Sequence, residues 1–190
     1  PSPALQATAE RLGATTLPLD VTDTDAAPAA TAAIGDLDVL VHNAGVFFPG
    51  PVAESTVDDW RDTLEVNVVG AVAITLALLP ALRRAGGQVI FINSGTGRKA
   101  SATMASYSAS KFALRAFADS LRESEPALRV TTVFPGRVDT DMQRALVSFE
   151  GGDYQPDRFL RPETVAEAVA NVVATPPDGH VHEVVVRPRG

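Results

Sequence analysis

Short apolar runs alternate with longer stretches of helical periodicity along the chain. "LDVLVHNAG", "QVIFINS", "RVTTVFP" and "HEVVVRP" each read as a strand bounded by turn residues. "QVIFINS" is apolar throughout, the kind of strand that a parallel sheet buries on both faces. "TTLPLDV" predicts a further short strand. Between these runs, "SPALQATAERLG" predicts a helix stopped by Gly13, and "DTDAAPAATAAIG" a weaker one. A long helix is predicted from Val57 to Arg84, with Trp60, Leu64 and Val68 on one face and Gly86-Gly87 closing it. Two more are predicted over Ser106 to Glu123 and Glu163 to Val173. "GRVDTDMQRALVSFEGGDYQPDRFLRP" reads as a polar connection holding at most one or two helical turns. No repeat and no linker interrupts the pattern. It predicts a single α/β domain over residues 1–190 with a mainly parallel sheet.

Composition narrows the function classes. The chain has 190 residues, 45% hydrophobic and 21% charged, and its net charge is −7. The acidic balance argues against a nucleic-acid or anionic-membrane partner, since phosphate surfaces repel it. Cysteine is absent, so disulfides and thiolate metal sites are excluded, which suits a cytoplasmic location. The most apolar run, Val68 to Leu82, is shorter than the roughly 18 residues of a membrane span and contains Pro80. It reads as a helix buried against a sheet or a partner subunit. The first residues lack the basic and apolar regions of a signal peptide.

"SYSASKFALRAF" carries the candidate chemistry. Tyr107 and Lys111 stand four apart, on one face of a helix. A free phenol, with a pKa of about 10, exchanges protons poorly near neutrality, and a nearby ammonium favours its charged form. Alone, the pair is compatible with two unrelated surface residues. Ser94, however, ends the "QVIFINS" strand, and the carboxyl ends of parallel strands are where ligands bind in open sheets. "VHNAG" ends another strand at the same edge, where Ala44 and Gly45 let a flat ligand approach the backbone beside Asn43. "PGRVDT" ends a third.

These segments resemble the short-chain dehydrogenase/reductase family, classical type, over nearly the whole chain. The matching residues are "NAG" at 43–45, "EVNVVG" with Asn67, "INSGTG" with Ser94, "YSASK" with Tyr107 and Lys111, and "PGRVDT" at 135–140. "LDVTD", with Asp20 and Val21, resembles the adenine-contacting segment. The resemblance implies a Rossmann-like, doubly wound parallel sheet and hydride transfer between NAD or NADP and a small carbonyl/alcohol substrate. It implies that Tyr107 exchanges the proton, Lys111 lowers the Tyr107 pKa and binds the nicotinamide ribose, Ser94 orients the substrate oxygen, and Asn67 holds a water in a proton relay. Asn43, Ala44, Gly45, Pro135, Gly136, Val138 and Thr140 would line the cofactor. A helix distorted around a functional water would explain Asn67 in an apolar helix. His42 stands where the family often has Asn. The resemblance further implies a homodimer or homotetramer formed through the long helix and the Tyr107 helix.

The family's opening strand, its Gly-rich turn and its second strand have no counterpart in the sequence. The expectation is a longer protein lacking about its first forty residues, since two absent strands would leave a gap of roughly 14 Å. The alternative is a genuine truncation with a rearranged or dimerised sheet, which favours a non-catalytic dinucleotide-sensing or scaffold module. An extended-type epimerase or dehydratase fits less well, because only a short tail follows "PGRVDT". Residues 141–162 are expected to form a substrate lid. Phe47, Phe48, Met142, Leu146, Phe149 and Phe159 are candidates for an apolar pocket. His180 and His182 share a strand face and read as a surface or subunit contact rather than a metal site.

Overall fold

Four parallel strands form one sheet in the order β1-β2-β3-β4: β1 Val39–His42, β2 Gln88–Ile92, β3 Arg129–Pro135 and β4 Glu183–Val186. The computed structural model describes residues 3–189. Helices α1 (Pro3–Leu12) and α2 (Ala27–Thr31) precede β1, α3 (Val57–Leu64) and α4 (Gly70–Ala85) lead into β2, and α5 (Ala105–Ser124) leads into β3. Helices α6 (Asp141–Phe149) and α7 (Pro162–Val173) lie between β3 and β4.

Alternation along β2 sets the layers. Val89 and Phe91 pack with Leu78 and Leu82 of α4 and Leu114, Ala118 and Leu121 of α5. Ile90 packs on the other face with Val165 and Val172 of α7. Both faces of the strand are therefore covered, as its unbroken apolar run requires.

The long helix starts where the chain offers a capping box: the Thr56 side chain accepts from Asp59 N at 3.1 Å, and Asp59 accepts from Thr56 N at 2.7 Å. It stops at Gly86, whose φ of 58° a side chain would resist. Val57–Ala85 is long and apolar enough to cross a membrane by length and composition. Its Leu78 and Leu82 are buried against the sheet, so it serves as a core helix of this layer.

Two expectations need correction. "TTLPLDV" forms no strand; residues 14–20 have no regular structure. A strand needs a neighbour to take its backbone groups, and among the described residues β1 is paired only with β2. The chain turns instead at Asp20, whose carboxylate accepts from Thr22 N at 2.9 Å, and Val21 lies against Gly70, where a Cβ would come within 3.1 Å of the Val21 Cβ. The polar connection is also more helical than expected. The Thr140 side chain caps α6 by accepting from Gln143 N at 3.2 Å, and the helix runs for nine residues. "TDMQ", a Thr three residues before a Gln, was the available signal.

Leu82 is fully buried between α4, α5 and the sheet. Leu82→Ala should lower unfolding free energy by about 2–5 kcal/mol, read as a shift in the urea midpoint. A loss under about 1 kcal/mol would mean that α4 does not belong to the core.

Candidate active site

The carboxyl ends of the strands open onto a cavity of about 950 Å³. Asn43, Gly45, Ser94, Tyr107, Lys111, Pro135, Gly136, Val138 and Thr140 all line it, so most of the residues singled out from the sequence converge there. Asp20, Val21, Ala44 and Asn67 do not. Val21 and Ala44 border a smaller crevice with His42 and Asn67, and Asp20 is exposed.

Asn67 sits in a π-helical turn, Glu65–Val69, between α3 and α4. The wider turn rotates its amide inward, and the residue is 1% exposed. Its Nδ2 donates to Val46 O at 2.9 Å and to Ser110 Oγ at 3.0 Å, while its Oδ1 accepts from Val46 N at 2.8 Å. The distortion expected at this residue is present, and the side chain is occupied mainly in holding the loop after β1. Ser110 passes the link onward by donating to Tyr107 O at 2.8 Å.

Lys111 is 4% exposed, and its Nζ donates to Ile92 O at 3.0 Å. Burial pushes the ammonium down to about 8. Gly45 makes room for it: a Cβ there would come 3.2 Å from Asn67 Oδ1 and 3.8 Å from Lys111 Nζ. The Lys111 Nζ lies 5.5 Å from the centroid of the Tyr107 ring.

Tyr107 does not show the depressed pKa expected from its lysine. Burial raises it above the ordinary phenol value, and a hydrogen bond with Ser94 opposes that rise. The physical reason is that the dry pocket penalises phenolate more than its neighbours favour it. Ser94 Oγ also accepts from Thr96 N at 3.2 Å and Thr96 Oγ1 at 3.1 Å, which fixes it beside the phenol. Phe47 meets the Tyr107 ring edge-on, with centroids 6.0 Å apart.

Several residues that position the site were not anticipated. Asn93 donates to Lys111 O at 2.9 Å and accepts from Ser94 N at 2.8 Å, joining the strand end to α5. A polar residue closing an apolar strand was its signal, as the second serine of "YSASK" was for Ser110. Gln143, Arg137 and Arg187 also line the cavity, and nothing in their local pattern marks them. Of the expected pocket residues, Phe47, Met142 and Leu146 line the cavity, while Phe48, Phe149 and Phe159 do not. His42 is a core residue: it stacks on Phe91 at 4.8 Å, its Nε2 lies 2.8 Å from Thr75 Oγ1, and burial pushes it down to about 4. His180 Nε2 accepts from Val130 N at 2.8 Å, so that ring serves the fold.

The Lys111 ammonium should titrate near pH 8, followed by NMR of its side-chain nitrogen or adjacent methylene. Its folded pKa lies below its unfolded value, so between about pH 8 and about 10.5 the unfolded chain binds more protons. Stability should therefore gain from this group as pH rises through that window. Titration at or above the ordinary lysine value would contradict the burial described.

Residues 2–151 match the short chain dehydrogenase family. The chain is 38% identical over 142 residues to dehydrogenase/reductase SDR family member 7B of Mus musculus, covering 71% of this chain and 44% of that protein. It is 40% identical over 134 residues to trans-4-hydroxycyclohexanecarboxylate dehydrogenase of Sinomonas cyclohexanicum, covering 67% and 52%. Among solved structures, the alcohol dehydrogenase from Thermococcus sibiricus complexed with 5-hydroxy-NADP superposes with a TM-score of 0.83 at 25% identity, covering 96% of this chain and 79% of that one. The chain thus spans about half the length of these curated relatives. With its parallel sheet and the convergence of Ser94, Tyr107 and Lys111 on one cavity, the chain belongs to the short-chain dehydrogenase/reductase family.

Proposed function

We propose that the protein is a nicotinamide-dinucleotide-dependent oxidoreductase that interconverts a carbonyl and an alcohol. The observation that carries this is the pair of hydroxyls, Ser94 and Tyr107, brought together in the cavity wall, with a buried ammonium on the next turn of the Tyr107 helix. The similar Thermococcus protein is an alcohol dehydrogenase bound to a modified NADP, which supports both cofactor and reaction.

The residues present fit the nicotinamide half of such a cofactor. Gly45 and Gly136 leave bare backbone at the cavity wall, and Gly45 lies against both Asn67 and Lys111. Asn43, Gly45, Lys111, Pro135, Gly136, Val138 and Thr140 would hold it, and when bound it supplies or accepts the hydride. Asp20 and Val21 would serve the adenine end.

The chain's own residues manage the oxygen and the proton. The Ser94 hydroxyl and the Tyr107 phenol would both donate to a substrate carbonyl, which orients and polarises it. A phenol held above its ordinary pKa stays protonated at neutrality, so the proton is in place, and its release depends on what favours the oxygen as charge develops. As it gives up its proton, charge develops near the Lys111 ammonium, which favours that state. Asn67 acts by positioning: it fixes Val46 and, through Ser110, the start of α5. Its Oδ1 retains one acceptor site, on which a water leading toward Lys111 could rest.

We also propose that copies associate through α4 and α5. Val69, Leu76 and Phe112 are 41%, 61% and 43% exposed, a large apolar surface for helices already packed on a sheet.

Two outcomes test these readings. Tyr107→Phe should abolish nicotinamide-dependent turnover, by at least about 100-fold, with an unchanged far-ultraviolet circular dichroism spectrum; activity within a few-fold of the parent would remove Tyr107 from the acid–base role. The parent should sediment as a dimer or tetramer, and the double variant Leu76→Glu, Phe112→Glu as a monomer. A parent that sediments as a monomer at micromolar concentration would rule out this association.

A further inference from the structure

We propose that the substrate carries a carboxylate and that Arg187 is the residue that holds it. This rests on the oxidoreductase reading above and names the substrate class for the same cavity.

The wall of the cavity is one-sided in charge. Lys99, Lys111, Arg137 and Arg187 line it, and no Asp or Glu does, in a chain whose net charge is −7. Lys111 is engaged with Ile92 O, and Arg137 pairs with Glu150 at 2.7 Å and lies over the Phe159 ring. Lys99 is exposed beyond the turn after Ser94. Arg187 is exposed as Lys99 is, but it differs from Arg137 and Arg144: among the described residues its side chain has no ion pair, hydrogen bond or ring contact.

Its side chain lies against two glycines. A Cβ on Gly95 would come 3.1 Å from Arg187 Cζ, and one on Gly136 would come 3.4 Å from Arg187 Cδ. The guanidinium therefore lies over the bare backbone of Gly95, the residue after Ser94. Arg187 follows β4, the strand farthest from β1, whose end carries Asn43 and Gly45. Three strand spacings separate those strands, roughly 14 Å. The charge thus stands away from the Asn43–Gly45 end of the rim but lies against Gly136, one of the residues that would hold the nicotinamide, so its role toward substrate and toward cofactor must be measured separately.

Gln143 is an independent observation. It lines the cavity, is 6% exposed, and its side-chain amide nitrogen has no hydrogen-bond partner. Leaving a buried amide hydrogen unpaired weakens the fold, a cost that a ligand oxygen would remove. Phe47, Met142 and Leu146 supply apolar wall beside it. A planar guanidinium, a buried amide and an apolar wall suit a small oxo or hydroxy acid, because the guanidinium fork matches a carboxylate.

The test compares reduction of acetoacetate and levulinate with reduction of their methyl esters by the whole protein. The parent should favour the acids in kcat/KM by at least about tenfold, the size expected of a charge-assisted hydrogen bond. Arg187→Gln should lose that preference through a higher KM for the acids, with the esters and the cofactor dissociation constant unchanged. Arg187→Lys should keep part of it. Equal use of acids and esters by the parent would overturn the proposal. So would an Arg187→Gln variant that binds cofactor more weakly and loses acids and esters alike, since the arginine would then serve the cofactor. Absence of turnover with every acid, ester and neutral ketone would defeat the oxidoreductase reading itself. Carboxylate binding is then read from the Arg187 Nε–H signal on titration with levulinate, and a signal that does not move overturns the proposal separately.

Discussion

One primary amide holds the site together. Asn67 satisfies both backbone groups of Val46, at 2.8 and 2.9 Å, and gives its remaining hydrogen to Ser110. The loop after β1 is thereby fastened to the long helix, and the long helix to α5. Tyr107 lies at the far end of the same chain of bonds, because Ser110 donates to its carbonyl. An asparagine in a helix interior and a π-helical turn are both locally unfavourable. Three buried or partly buried hydrogen bonds, each worth about 1 kcal/mol net, offset that. The distortion is the means by which one side chain reaches both a loop and a neighbouring helix.

The lysine depends on that framework. Its ammonium is buried, accepts no carboxylate partner from the cavity wall, and rests on one carbonyl, Ile92 O. Such a charge weakens the fold, as the downward push to about 8 shows. Gly45 leaves the space, Asn93 ties the Lys111 backbone to the end of β2, and Asn67 closes the other side. A destabilised cation held by several rigid contacts is the kind of group that functional sites retain.

The elements legible in the sequence were those whose pattern is set by burial on two sides. "QVIFI" and "RVTTVF" alternate between two helical layers and admit no other role, and the spacing of Tyr107 and Lys111 follows from helical geometry alone. "TTLPLDV" failed because a β-propensity run says nothing about whether a neighbouring strand is there to pair with it. The π turn at Asn67 was anticipated only through its consequence, a polar residue in an apolar helix. Arg187 and Gln143 were invisible for a different reason. Each is brought to the cavity by tertiary placement, Arg187 by the end of β4 and Gln143 by a helix that the sequence marked only through its cap.

The direction of the Tyr107 shift reveals how these parts divide the work. The expected picture, a lysine that lowers a phenol, assigns the whole effect to one charge. The pocket that buries the phenol also buries the lysine, and burial acts against both charged forms at once. What favours phenolate is then local: the Ser94 hydroxyl, and the Lys111 ammonium 5.5 Å from the ring. These contacts strengthen as negative charge appears on the oxygen, and they are already in place before it does. On the acid–base role proposed for Tyr107, such a site is organised less to ionise a resting phenol than to tolerate its ionisation as a proton leaves, which is the condition under which fixed dipoles contribute most to a reaction.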